Sequence, residues 1–153
     1  MRSYTPPRPF TLSGDVYERI LRFARSEGLP LGLVVVQRQN RLSDSARRVL
    51  AALEEQVVSR SQESEWPGTR LVDHAAKVIR FQLNDETVDI LVEAADSFFD
   101  WEQPELPEDL ALLREDGTTW LGSITHEREL WFELTADEKR RLLAAVPEVG
   151  ATR

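Results

Sequence analysis

Between residues 110 and 134 three strand-like segments follow one another with no helix between them, and that succession limits the fold more than any other feature. Residues 110–114 and 118–125 are joined by Glu115, Asp116 and Gly117, a tight turn in which glycine accepts positive φ. Residues 126–128 turn the chain again into residues 129–134. Strands joined directly by turns make an antiparallel meander, whereas a doubly wound parallel sheet needs a helix in every crossover. The expected class is therefore α+β. It comprises a mixed or antiparallel sheet with a C-terminal three-stranded meander and about four helices packed on it.

The helices announce themselves by caps and by apolar spacing. Ser13, Gly14 and Asp15 precede a helix to about Ser26, with Val16, Ile20, Phe23 and Ala24 at helical intervals and Gly28 with Pro30 ending it. Ser43 caps a second helix carrying Ala46, Val49, Leu50, Leu53 and Val57 on one face. Asn84 or Asp85 caps a third, with Val88, Leu91, Val92 and Ala95 inward, and Thr135 with Glu138 has capping-box spacing for a fourth over 136–146. Two further segments read as strands. Residues 31–37 are β-branched and apolar, as in a buried strand, while residues 77–83 alternate, with Ile79, Phe81 and Leu83 on the inner side of a half-buried one. Residues 59–69 are polar and end in Trp66, Pro67 and Gly68, so they read as a connecting loop.

With 153 residues and 41% hydrophobic content, one domain spanning 1–153 is expected, with residues 1–9 extended and 147–153 a flexible tail. There is no cysteine, which removes disulfide frameworks, thiolate metal sites and cysteine nucleophiles. No apolar run approaches the roughly 20 residues that cross a bilayer, and the N-terminal residues lack the apolar core of a secretory signal. A cytoplasmic protein without a membrane partner is expected.

Charge is distributed unevenly. Residues 85–116 hold twelve carboxylates opposed by Arg114 alone, a net of −11 within a chain of net charge −8. A continuous negative face attracts and orients a basic protein partner, and it repels nucleic acid. The arginines of the first 80 residues are interspersed with acids and lack the aromatic interleaving of a nucleic-acid surface. They are suited instead to meet the acidic stretch of a second copy in a homodimer.

Candidate chemistry centres on two histidines, His74 beside Asp73 and His126 beside Glu127. An imidazole oriented by a carboxylate can act as general base, so a small hydrolase or metal-assisted enzyme using His126 and neighbouring carboxylates is one expectation. The segment also offers Ser123, three residues before His126, but without the G-x-S-x-G surroundings of a nucleophile elbow. No His-x-x-His or HExxH spacing fixes a metal, and no glycine-rich loop is spaced to cradle phosphate. No catalytic residue, metal site or cofactor is therefore assigned. Four tryptophans remain. Trp66 and Trp101 fall in loop segments beside proline and acids, and aromatics anchor many interfaces; Trp120 and Trp131 sit on neighbouring strands and suit a cross-strand pair. The partner-binding surface expected from these features comprises Trp101, Glu102, Glu105, Trp120, His126, Glu127 and Arg128.

Trp66-Pro67-Gly68-Thr69, Leu106-Pro107-Glu108-Asp109-Leu110, Asp116-Gly117 with Trp120-Leu121, and Ser123-Ile124 followed by His126-Glu127-Arg128 form a pattern that resembles one in small bacterial hypothetical proteins. The similarity covers about residues 66–135. It implies a bacterial origin and transfers no functional residue. The leading expectation is a non-catalytic bacterial interaction protein, in the manner of an immunity or antitoxin-like inhibitor, that turns an acidic surface toward a basic partner.

Overall fold

A computed structural model describes all residues, Met1–Arg153. In chain order the elements are β1 (Arg2–Tyr4), α1 (Asp15–Ser26), β2 (Leu31–Val36), α2 (Asp44–Leu53), β3 (Val57–Glu63), β4 (Glu65–Trp66), β5 (Thr69–Arg70), β6 (Ala76–Gln82), α3 (Asp85–Ala94), β7 (Glu108–Leu113), β8 (Thr119–Ile124), β9 (Glu129–Leu134) and α4 (Ala136–Ala145). Seven strands form one sheet in the order β1-β9-β8-β7-β2-β6-β3, every neighbouring pair antiparallel. The meander expected at 110–134 is β7-β8-β9, and four α-helices accompany the sheet. The α+β class is the one the sequence indicates.

The central strands are buried on both faces, and side-chain alternation explains their apolar composition. Val34 and Val36 of β2, Ile79 and Phe81 of β6, and Leu110 and Leu112 of β7 belong to a core of 30 buried residues shared with the helices. Their intervening neighbours, Leu33, Val35, Val78, Ala111 and Leu113, pack in a second cluster of seven around Trp66. Trp66 is the end of β4, so the β4-β5 hairpin caps the sheet face opposite the helices. The half-buried reading of residues 77–83 holds, with Ile79, Phe81 and Leu83 buried and Gln82 exposed on the other side, except at Val78, which that second cluster closes over.

Two local expectations change for identifiable reasons. Residues 59–69 are a strand and a hairpin. β3 is an edge strand with one neighbour and mostly exposed side chains, so it carries no apolar alternation, and its strand character comes from backbone pairing with β6. The N-terminal segment is extended at Arg2–Tyr4, as expected, and there it pairs with β9. The expected flexible tail begins with a 3-10 turn, Pro147–Gly150, whose Val149 is fully buried and whose Glu148 forms an ion pair with Arg19.

The caps of α3 and α4 hold as read, whereas Ser43 stands at the N-cap of α2 with its hydroxyl turned to the Pro104 carbonyl and α1 starts from Gly14 without a side-chain cap. Asn84 accepts from Thr87 N–H, and Thr135 accepts from Glu138 N–H while Glu138 accepts from Thr135 N–H, closing both capping boxes. Glu138 also takes the Arg114 guanidinium at 2.8 Å. Burial alone raises the Glu138 carboxyl; Arg114 and the Thr135 N–H outweigh it and hold it below the ordinary carboxylate range.

Candidate functional site

The site starts from a backbone irregularity. Along the β2-β7 ladder Leu33 faces Ala111 and Val35 faces Glu108, so two β7 residues, Asp109 and Leu110, stand opposite Val34 alone. This is a β-bulge, and Asp109 occupies it with φ 57°, left-handed backbone that L side chains rarely adopt. Asp109 is also 2% exposed. Its carboxylate is held by two donors, Trp66 Nε1 at 3.0 Å and Thr125 N–H at 3.0 Å. Its own N–H donates to the Trp101 carbonyl, which Thr125 Oγ1 also reaches at 2.7 Å. One buried acid thus ties the β4-β5 hairpin, the Trp101 loop and the turn after β8 to the start of β7.

These segments and the loop after β2 enclose a polar cleft of about 610 Å³. Gln37, Arg38 and Arg41 form one wall, the hairpin residues 68–71 another, Gln103 and Pro104 a third; Glu108, His126 and Glu127 complete it. Leu71 is the single hydrophobic side chain in the lining. Each wall is fixed by specific contacts. The Gln103 amide clamps the arginine-bearing loop: its oxygen accepts from Gln37 N–H (2.8 Å) and Arg38 N–H (3.2 Å), and its NH₂ donates to the Arg38 carbonyl (2.7 Å) and the Arg41 carbonyl (3.3 Å). Gly68, at φ +79°, lets the hairpin tip lie flat on Trp131 and Ile124, where a Cβ would come within 2.5 Å of the indole.

Glu108 projects half-buried into this cleft and accepts from Gln37 Nε2 at 2.7 Å. Burial raises its carboxyl above the ordinary range, the Gln37 hydrogen bond opposes that, and Asp109 adds to it. Arg70 lies 3.4 Å from Glu65, both well exposed, a pair worth about 0–1 kcal/mol. Arg38 and Arg41 have no carboxylate within 4.0 Å, unlike the arginines of α1, which pair with Asp15, Glu18, Asp85 and Asp89.

The candidate residues separate accordingly. His126 and Glu127 line the cleft, and Arg128 follows them in the same exposed turn at φ 58°. Glu102 and Glu105 lie on the neighbouring loop, which is stapled to the start of α2 by Ser43 and Ser45 donating to the carbonyls of Pro104 and Glu105. Trp101 and Trp120 do not belong to a partner surface. Trp101 is fully buried, with Nε1 donating to Tyr17 Oη at 3.1 Å, and Trp120 is 1% exposed with its ring edge-on to Phe132 at 5.2 Å. A tryptophan whose N–H finds an internal acceptor is satisfied inside the core. The expected Trp120–Trp131 pair is absent because Trp131 opposes Gly122; it packs against Gly122 and Gly68, while Trp120 belongs to the helix-side core.

Neither the Ser123 triad nor the two-histidine grouping assembles. Ser123 is 1% exposed, and its hydroxyl donates to the Leu110 carbonyl at 2.8 Å. His126 Nε2 is 3.8 Å from Glu127 Oε1, beyond hydrogen-bond length. His74 is outside the cleft lining, with Nδ1 3.0 Å from the Val72 carbonyl. No three His, Asp or Glu side chains are grouped to hold a metal ion.

The acid-rich segment does not form one face. Asp85 and Asp89 are taken up by Arg25 (3.4 Å) and Arg22 (3.0 Å), and Glu86 accepts from Gln56. Asp100 accepts the N–H groups of Asp96 and Ser97. Asp109 is interior, Glu108 is in the cleft, and Glu115 with Asp116 sit in the turn at the opposite end of β7. No helix is long and apolar enough to cross a membrane. Comparisons with protein-family models, with curated proteins and with solved structures return no match.

Proposed function

We propose that the chain is a non-catalytic protein–protein interaction module that docks its partner in the arginine-lined cleft and on the adjoining turn, residues 126–128. One observation carries this reading: five separated pieces of chain converge on a cleft whose Arg38 and Arg41 lack carboxylate partners. Exposed arginines without an internal partner contribute little to the stability of the chain that carries them, and they are well suited to an interface. The bulge at Asp109 supports the same place, since strained, buried backbone persists where the surroundings hold it and often adjoins function.

An inhibitor that offers an acidic surface to a basic effector remains a narrower version of this proposal. The distribution of carboxylates leaves Glu102 and Glu105 as its patch. Capture of a partner from the native host by tagged protein separates the two sites. Loss of the partner with Arg38→Glu plus Arg41→Glu, and its retention with Glu102→Lys plus Glu105→Lys, supports the cleft. The reverse pattern moves the site to the acidic loop.

A second reading has one observation in its favour. His126, Glu127 and Glu108 line a common cleft, and Glu108 has the raised carboxyl of a proton-transfer group. A small hydrolase built on His126 would lose all turnover with His126→Ala in a substrate screen, while partner capture would be unaffected.

A further inference from the structure

Resting on the cleft as the docking site, we infer that the group it receives is a carboxylate from an acidic segment of the partner protein. Leu71 is the one hydrophobic residue in a lining otherwise made of charged, amide and small residues, so a large apolar anchor would find no apolar pocket to fill. The two free guanidiniums are held on one short loop. Arg41 N–H donates to the Arg38 carbonyl at 3.0 Å, and both carbonyls face the Gln103 amide, so the residues sit one turn apart on the same support. A guanidinium presents paired N–H donors that match the two oxygens of a carboxylate. Three arginines, Arg38, Arg41 and Arg70, meet two acids, Glu108 and Glu127, in the lining. Glu108 is already engaged by Gln37, and its half-burial disfavours its charge, so it competes weakly for the arginines.

The sign of the whole molecule sharpens the assignment. With a net charge of −8, long-range steering works against an acidic segment, so its affinity has to come from contact inside the cleft. A basic partner drawn to exposed acids would instead associate faster at low salt. The two cases differ in where binding is felt and in which charge is required.

The test is a titration of the full ¹⁵N-labelled chain, followed by amide chemical shifts, with three probes used separately: N-acetylated, C-amidated tetraglutamate, the corresponding tetralysine, and inorganic phosphate. The expected result is saturable shifts from tetraglutamate at Arg38, Arg41, Gly68, Gln103 and His126, weakened at least about tenfold, about 1.4 kcal/mol, by Arg38→Gln plus Arg41→Gln, because the charge-assisted hydrogen bonds are lost. Both positions are exposed, so the double variant keeps its fold. Three results overturn the inference: no saturable shift with tetraglutamate, equal binding by the double variant, or cleft shifts from phosphate or tetralysine without tetraglutamate. If a partner captured from the host depends on the cleft while tetraglutamate does not bind, the docking site stands and the carboxylate assignment falls. If tetraglutamate binds and partner capture ignores the cleft variants, the proposed function falls instead.

Discussion

Trp66 Nε1 donates to Asp109 Oδ2 at 3.0 Å in the interior, joining the hairpin that caps one sheet face to the bulge next to Glu108 of the cleft. The second Asp109 oxygen accepts the Thr125 N–H just before His126. Removing the carboxylate leaves two buried donors unpaired, at about 1–3 kcal/mol each.

Asp109→Ala is therefore expected to lose about 2–4 kcal/mol of unfolding free energy in a urea titration. Asp109→Gly separates acceptor loss from backbone strain, because glycine takes φ 57° freely. Equal losses for the two variants identify the carboxylate as the cause. An alanine variant as stable as wild type would show instead that the hydrogen bonds contribute little, whereas a glycine variant more stable than alanine measures the strain at φ 57°.

Gly68→Ala disturbs the hairpin wall alone. A Cβ there meets Trp131 at 2.5 Å and Ile124 at 2.7 Å, on backbone already at φ +79°. Overpacking of this kind costs about 1–3 kcal/mol. Amide shifts are expected to spread over residues 65–71, 122–124 and 131, leaving α1 and α3 unchanged. Unaltered shifts at Trp131 would contradict the close seating of the hairpin.

Much of this frame is legible in the sequence, and the remainder is hidden for physical reasons. Caps and 3.6-residue spacing locate α1–α4, and turns with period-2 or fully apolar runs locate β2 and β6–β9. β3 is missed because an exposed edge strand needs no apolar face. Trp101 looks like a surface anchor because its neighbours are prolines and acids; only the fold brings Tyr17 Oη to its N–H. The 126–128 turn is visible as a turn with polar chemistry. The cleft is not, since residues 37–41, 68–71, 103–104, 108 and 126–127 meet only through strand order β8-β7-β2 and the hairpin beneath it. The run of acids misleads for the same reason: sequence proximity says nothing of Arg22 and Arg25 arriving from α1.

The buried Tyr17 offers a prediction far from the cleft. Its hydroxyl donates to the Leu91 carbonyl at 2.6 Å and accepts from Trp101 Nε1 at 3.1 Å. Tyr17→Phe strands both partners in the core and is expected to cost about 1–3 kcal/mol. Because it leaves Asp109 and Gln103 untouched, tetraglutamate binding should match wild type under folding conditions.

Glu108→Gln predicts a pH signature. Burial, helped by Asp109 and opposed by Gln37, raises the folded carboxyl above its unfolded value. The native state therefore keeps that proton to higher pH, and wild-type stability declines as pH rises from the ordinary glutamate range through the raised value. Glutamine cannot ionise, and its amide oxygen still accepts from Gln37. The variant is expected to gain on wild type across that window and hold a constant advantage above it. Stability curves that stay parallel through the window would show that Glu108 titrates as an ordinary exposed glutamate.

The hydrogen-exchange footprint of the captured complex tests the proposed docking site most directly. Protection on binding is expected at residues 37–41, 68–71 and 126–128, with residues 85–96 and 115–116 unchanged. Protection confined to residues 85–105, with the arginine loop and the hairpin tip exchanging as in the free protein, would contradict it.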